Sequence, residues 1–317
     1  MVALTLSALL VAGATQLFVD GQKAYRANEQ TAELQEIARH ALAVLELDLR
    51  MAGYWGLSHD SARIAGGAGP AEPLPATLLP AAGGIAACGP NWAIHLRQHI
   101  GASDNQYALA CPAFNRRPQP QSDVLIVRRA SESTDTPPAT PRLRIVANQG
   151  QGQLVIARCS DVRNSACTRP PPLPMFPAAR VHDLIVNAYY VSRDATGRTG
   201  LPSLRRKRLV GNASGAAIQD EEVIPGVENL QVQLGVGDPS GAGPVYFANP
   251  NDVDLDDPLH PVVAVRLWLL IRAESLEPGF IDGKRREFPT GRVVVAPNDA
   301  FRRLLATTTV YLRNTRT

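Results

Sequence analysis

Aromatic residues are scarce in this 317-residue chain, at 5%, and cysteine occurs only four times. The first nineteen residues carry no charge, and no proline precedes Pro70. No Gly-x-Ser-x-Gly elbow, His-Glu-x-x-His pair or Walker A loop is present, so no catalytic residue is singled out and no cofactor is expected. Cys88, Cys111, Cys159 and Cys167 form no Cys-x-x-Cys, which excludes a zinc ribbon or a thioredoxin-type site. The net charge of +3 selects no class of partner by itself. Gly 25 and Pro 26 predict a loop-rich fold with short strands after Arg50.

The uncharged start and the missing prolines together predict one continuous helix over residues 1–50. Met1–Val19 is close to the roughly 20 residues that cross a bilayer as a helix. Leu4, Leu6, Leu9, Leu10, Val11, Leu17, Phe18 and Val19 supply the apolar surface of a membrane or fibre-core segment. Thr5, Ser7, Gly13, Thr15 and Gln16 interrupt it, and small residues of this kind let helices approach closely. A cleaved signal peptide fits Ala12-Gly13-Ala14, but no basic residue precedes the run and the helical pattern passes through the cut. Lys23 and Arg26, placed after the span, disfavour an N-inside orientation.

Beyond the span, Leu34, Ile37, Ala38, Ala41, Leu42, Leu45 and Leu49 form one stripe of a 3.6-residue helix. A helix of this length runs about 75 Å. The stripe predicts that its second half packs on a head. The expected organisation is a helix over 1–55, with 1–19 as the membrane or fibre-core part, and a β-rich head over 56–317. The expected fold class is α+β, a long helix on a mainly antiparallel sheet.

In the head, Asp123–Arg129, Gln153–Ala157 and Asp183–Val191 read as strands. Leu230, Val232 and Leu234 alternate with polar residues, as in a half-buried strand. The longest strand, Val262–Arg272, places Val263, Val265, Leu267, Leu269 and Ile271 on the core face. Asn298 and Asp299 read as the cap of a short helical turn through Leu305, before a last strand over Thr307–Leu312. An even cysteine count beside an export-type N-terminus favours disulfides. The sequence-local pairing, Cys88–Cys111 and Cys159–Cys167, is preferred because each closes a short loop.

Three clusters have a chemical reading and a plainer one. His95 and His99 have the spacing of a metal pair on a helix, but their segment reads as strand or loop, with both as surface histidines. Asp252, Asp254 and Asp256 offer oxygen ligands at alternate positions, which suits calcium. Asp257 and Val263 stand where an EF-hand needs Gly and Glu, so a solvated acidic loop is preferred. Arg205-Arg-Lys-Arg208 could meet DNA phosphates but has no interleaved aromatics. It reads better as a solvated strand edge.

The segment Leu45-Glu-Leu-Asp-Leu-Arg-Met-Ala-Gly-Tyr-Trp-Gly56 resembles the start of PilW-type minor pilins of the type IV pilus. Ser122–Arg128, Gly200–Arg205, Val223–Val232, Val262–Arg272 and Arg303–Asn314 extend the resemblance in order over nearly the whole chain. It implies a non-enzymatic structural subunit, inserted in the bacterial inner membrane with its head in the periplasm and then carried into the extracellular fibre. Implied partners are other minor pilins, the major pilin and a large tip adhesin, with priming of fibre assembly as the role; nucleic acid is not expected. The family begins with a basic leader and a Gly-Phe-Thr-Leu-Ile-Glu type segment before the stretch matching Met1. This chain lacks both, and with them the prepilin processing site, so residues upstream of Met1 are expected. The alternatives are a J-type minor pseudopilin of a type II secretion system, a DNA-contacting pilus subunit through Arg205–Arg208, and a membrane-anchored periplasmic enzyme.

Overall fold

One helix, α1 (Val2–Met51), runs without a break. In this computed structural model the described residues are 2–58, 60–133, 140–157, 177–238, 243–255, 257, 259–291, 293–294 and 297–314, with backbone alone at 2–6, 8–9, 133 and 293–294. The helix stops where Gly53 takes a φ of +72°, a conformation in which glycine meets no Cβ penalty. The Asn314 side-chain amide donates to the carbonyls of Arg50 and Ala52 at 3.5 and 3.2 Å. The far end of the chain thus satisfies carbonyls that the helix end leaves open.

The first sheet contains β1 (Ile64–Ala65), β2 (Ile100–Ser103), β3 (Val124–Ser133), β4 (Arg142–Ala147), β5 (Gly152–Ala157), β6 (Arg180–Ser192), β7 (Ser203–Val210) and β8 (Ala217–Pro225). Its order is β1-β5-β4-β6-β3-β2, with β7 paired to β6 and β8 to β7. Every pairing is antiparallel except β1 with β5. Next in the chain come β9 (Val227–Gly237), β10 (Pro244–Ala248), β11 (Val262–Arg272), the small pair β12 (Arg286–Glu287) and β13 (Val293–Val294), and β14 (Arg303–Tyr311). The second sheet has the order β10-β9-β11-β14 and is antiparallel throughout. The fold class is therefore the expected one, a long helix on mainly antiparallel sheet.

The first sheet is buried on both faces, and its strands show this with a period of two. Leu125, Val127, Tyr189 and Val191 join α1 and the second sheet in one core. Val124, Ala130, Ala188 and Tyr190 point the other way, into a core beneath the loops of residues 61–116. A disulfide between Cys88 and Cys111 closes that loop layer. Cys159 and Cys167 lie outside the described residues.

Two expectations need correction. Along β11, a register shift between Val262 and Ala264 puts Val262, not Val263, in the core with Val265, Leu267, Leu269 and Ile271. The bulge carries one extra residue and so exchanges faces. No helical turn follows Asn298, because β14 already begins at Arg303. Asp299 receives the Arg303 guanidinium at 2.7 Å and the Phe301 amide at 3.1 Å, and β11 gains its second neighbour. The Gly/Ala/Pro-rich stretch of residues 66–90 contains short helical turns at Ala76–Ala81 and Ala82–Ile85.

Candidate assembly surface

The N-terminal half of α1 stands clear of the head. Leu10 is 73% and Leu17 77% exposed, and Val11, Phe18, Val19 and Tyr25 are also open. A Cβ added at Gly13 or Gly21 would meet nothing within 4 Å. The side chains of Leu4, Leu6 and Leu9 lie outside the described ones. Among the described residues no helix is long and apolar enough to cross a membrane, so the expected span at Met1–Val19 is not matched there. The open apolar side chains form a band interrupted by Thr15 and Gln16 and closed by Asp20. Apolar surface on this scale marks an interaction site.

The second half is fastened to the head. Leu34, Ile37, Ala38, Ala41, Leu45 and Leu49 are buried against both sheets. Leu42 is half-buried beside them. Sequence periodicity does not reveal the polar lock at the end of this stripe. Asp48 is buried and accepts from Arg129 Nε at 3.0 Å and Nη2 at 2.8 Å. Asn187 Nδ2 and Tyr189 Oη, both on β6, also donate to it. Burial, with the Asp48 carboxylate alongside, pushes the Tyr189 phenol far above its usual range, so it stays a donor at any ordinary pH. One carboxylate thus ties the helix to β3 and β6.

Past the helix, Gly56 adopts a φ of +88°. A Cβ there would lie 2.6 Å from His182 Nε2, so the Gly-Tyr-Trp-Gly turn needs glycine at this point for both conformation and space. Its Trp55 is buried in the loop-side core.

Neither His95 nor His99 is an exposed surface residue, which corrects the sequence reading. His95 is buried, and His99 packs where a Cβ on Gly53 would touch its ring at 3.4 Å. Burial, helped by the charge of Arg128, pulls the His99 imidazole down to about 4, although carbonyls of Val262 and Arg97 favour its protonated form. Because the folded value lies below the unfolded one of about 6.5, the unfolded chain binds more protons between those values. Stability is then full above about pH 6.5 and falls as pH drops toward 4, by about 3 kcal/mol at the lower limit. Urea unfolding at pH 7.5 and 4.5 should show this loss in the wild type and little of it in His99→Asn. Equal losses in both would remove His99 as the cause.

Arg205–Arg208 is not a solvated edge. It lies on β7, paired on both sides, and faces an acidic run on β8 across the register Arg205↔Glu222, Arg206↔Glu221 and Lys207↔Asp220. Arg205 meets Asp220 at 2.7 Å and Glu222 at 3.1 Å, Arg206 meets Glu221 at 2.8 Å and Lys207 meets Asp220 at 2.6 Å. Arg205 also lies 3.7 Å over the Phe114 ring. Charges engaged in this way are a poor source of phosphate contacts. Among the described residues no group of three His, Cys, Asp or Glu side chains is placed to hold a metal ion. Asp252 ends a short turn and raises the carboxyl pKa of Asp104 nearby, where burial is the larger cause; Asp256 lies outside the described residues. A cavity of about 200 Å³ is lined by Trp92, His95, Gln98, Leu109, Ile126 and Arg128, among others, with no carboxylate in its wall.

Residues 188–314 match the family model described as type IV pilus-assembly protein W. That stretch contains the Gly200, Val223, Val262 and Arg303 segments on which the resemblance was drawn. No curated protein sequence matches the chain. Among solved structures, a type IV-like pilin from Thermus thermophilus is similar at 16% identity, covering 56% of this chain and 86% of its own, with a TM-score of 0.25.

Proposed function

We infer from the type IV pilus-assembly protein W pattern in its C-terminal part that this chain is a structural, non-enzymatic subunit of a type IV pilus. The observation that carries the reading is the bare half of α1. Every described side chain of α1 up to Arg26 is exposed, so roughly 38 Å of helix projects beyond the head. Its apolar side chains are open to whatever surrounds them. In a fibre they are covered by neighbouring helices, and before assembly by the inner membrane, with the head in the periplasm. A pilus component belongs to the cell envelope and the fibre.

Within that role we assign the chain to the minor pilins, which prime assembly and sit at or near the tip, where an adhesin docks. The large head with its loop layer stapled by Cys88–Cys111 supports a specialised position over a repeating one. A J-type pseudopilin of a secretion channel is the second reading, favoured by the same helix-on-sheet plan. Deleting the chain in a piliated host should reduce surface pili at least tenfold and leave protein secretion unchanged, and the chain should be recovered in sheared fibres. Normal piliation with impaired secretion would select the second reading.

A further inference from the structure

Among the described residues β14 pairs with β11 and with no strand on its other side. The phase of that ladder is fixed at both ends: the Leu312 amide donates to the Val263 carbonyl and the Ala273 amide to the Arg302 carbonyl, each at 2.9 Å. In an antiparallel pair, bonded and non-bonded residues alternate. Leu304, Ala306, Thr308 and Val310 therefore bond to β11. The backbone groups of Leu305, Thr307, Thr309 and Tyr311 point outward.

Open edges are hazardous, and proteins blunt them with charge, proline, bulges or brevity. Among the described residues the other free edges are treated in these ways. β1 has 2 residues and β2 has 4. β8 carries Asp220, Glu221 and Glu222 and a register shift. β10 begins with Pro244 and has a register shift. β14 has 9 residues in unbroken register with β11, and no charge or proline lies between Leu304 and Leu312. Leu305 and Tyr311 are exposed beside it. An edge left smooth while the others are blunted is suited to backbone pairing with a partner.

The direction of α1 decides which partner fits. Ile37 lies near Arg272, which pairs with Arg303 at the start of β14. Further along, Glu46 accepts from Thr308, and Asn314 reaches the helix end. The helix therefore runs parallel to β14. Two copies joined β14 to β14 about a two-fold axis would point their stalks in opposite directions, which a fibre of co-directional helices does not allow. We propose that the outer edge of β14 accepts an extended, uncharged strand of about nine residues from a different subunit of the same pilus. The proposal rests on the pilus reading and adds the surface through which this head is joined to its neighbour.

The test uses the full chain in detergent, mixed in turn with each of the other purified minor subunits of the same pilus. Amide hydrogen exchange should slow at least tenfold at Leu305, Thr307, Thr309 and Tyr311 with one of them. Thr307→Pro deletes an outward amide and no bond to β11, so it should weaken that binding at least tenfold without lowering the melting temperature. Thr307→Ala keeps the amide and should bind as the wild type does. No slowing with any subunit, or equal binding by the two variants, overturns the proposal. Slowing of the same amides through self-association assigns the edge to a second copy and also overturns it. Recovery of the chain in sheared fibres is scored separately, so the edge can fail while the pilus reading stands.

Discussion

Leu10→Arg is expected to reduce surface pili about a hundredfold while leaving the head folded and its melting temperature unchanged. Leu10 is 73% exposed in the isolated chain, so the change breaks no contact with the head. Its cost arises only when the helix is covered. A charged side chain at the centre of a membrane helix costs about 2.5–3.5 kcal/mol on insertion scales, and each 1.4 kcal/mol is a factor of ten. Counting pili by microscopy and following chain levels in the membrane fraction separate failed insertion from failed assembly. Wild-type piliation in this variant would mean that the bare half of α1 is never enclosed, and the reading of the chain as a pilus subunit would fall with it.

Asp48→Ala should lower stability by about 3–5 kcal/mol, the usual result of removing one partner from a buried ion pair. That corresponds to a fall in melting temperature of roughly 10 °C. The Arg129 side chain is 15% exposed and Asp48 6%, so water does little to replace the lost carboxylate. Asn187 and Tyr189 lose an acceptor at the same time. Replacing both members, Asp48→Leu with Arg129→Met, should recover much of the loss, because an apolar substitute of similar volume leaves no orphaned charge. A loss below about 1 kcal/mol in Asp48→Ala would show that the stripe alone holds helix and head together.

The stripe from Leu34 to Leu49 was legible because a helix repeats its faces over many residues, and β9 and β11 because alternation or a long β-branched run marks a buried strand. What escaped depended on partners far away in sequence. Arg205–Arg208 looks solvated until Asp220–Glu222, folded back across the hairpin, is set opposite it. The signal existed: two runs of opposite charge on either side of the glycine-bearing turn Gly211–Gly215. Asp48 had no such signal, since Arg129 and Tyr189 lie 81 and 141 residues away. His99 looked like a surface residue because its segment reads as strand or loop, yet Gly53 and Val262 pack against it. Asp299 was read as a helix cap because the same side-chain chemistry serves a loop held by Arg303.

The course of α1 along β14 also determines how the molecule answers to tension. A pull on the stalk acts along the helix axis and so slides the helix across the sheet instead of lifting it away. Leu34, Ile37, Ala41, Leu45 and Leu49, together with the Asp48 carboxylate, then share the force and give way together. A helix that met the head end-on would yield one contact at a time, from the nearest inward.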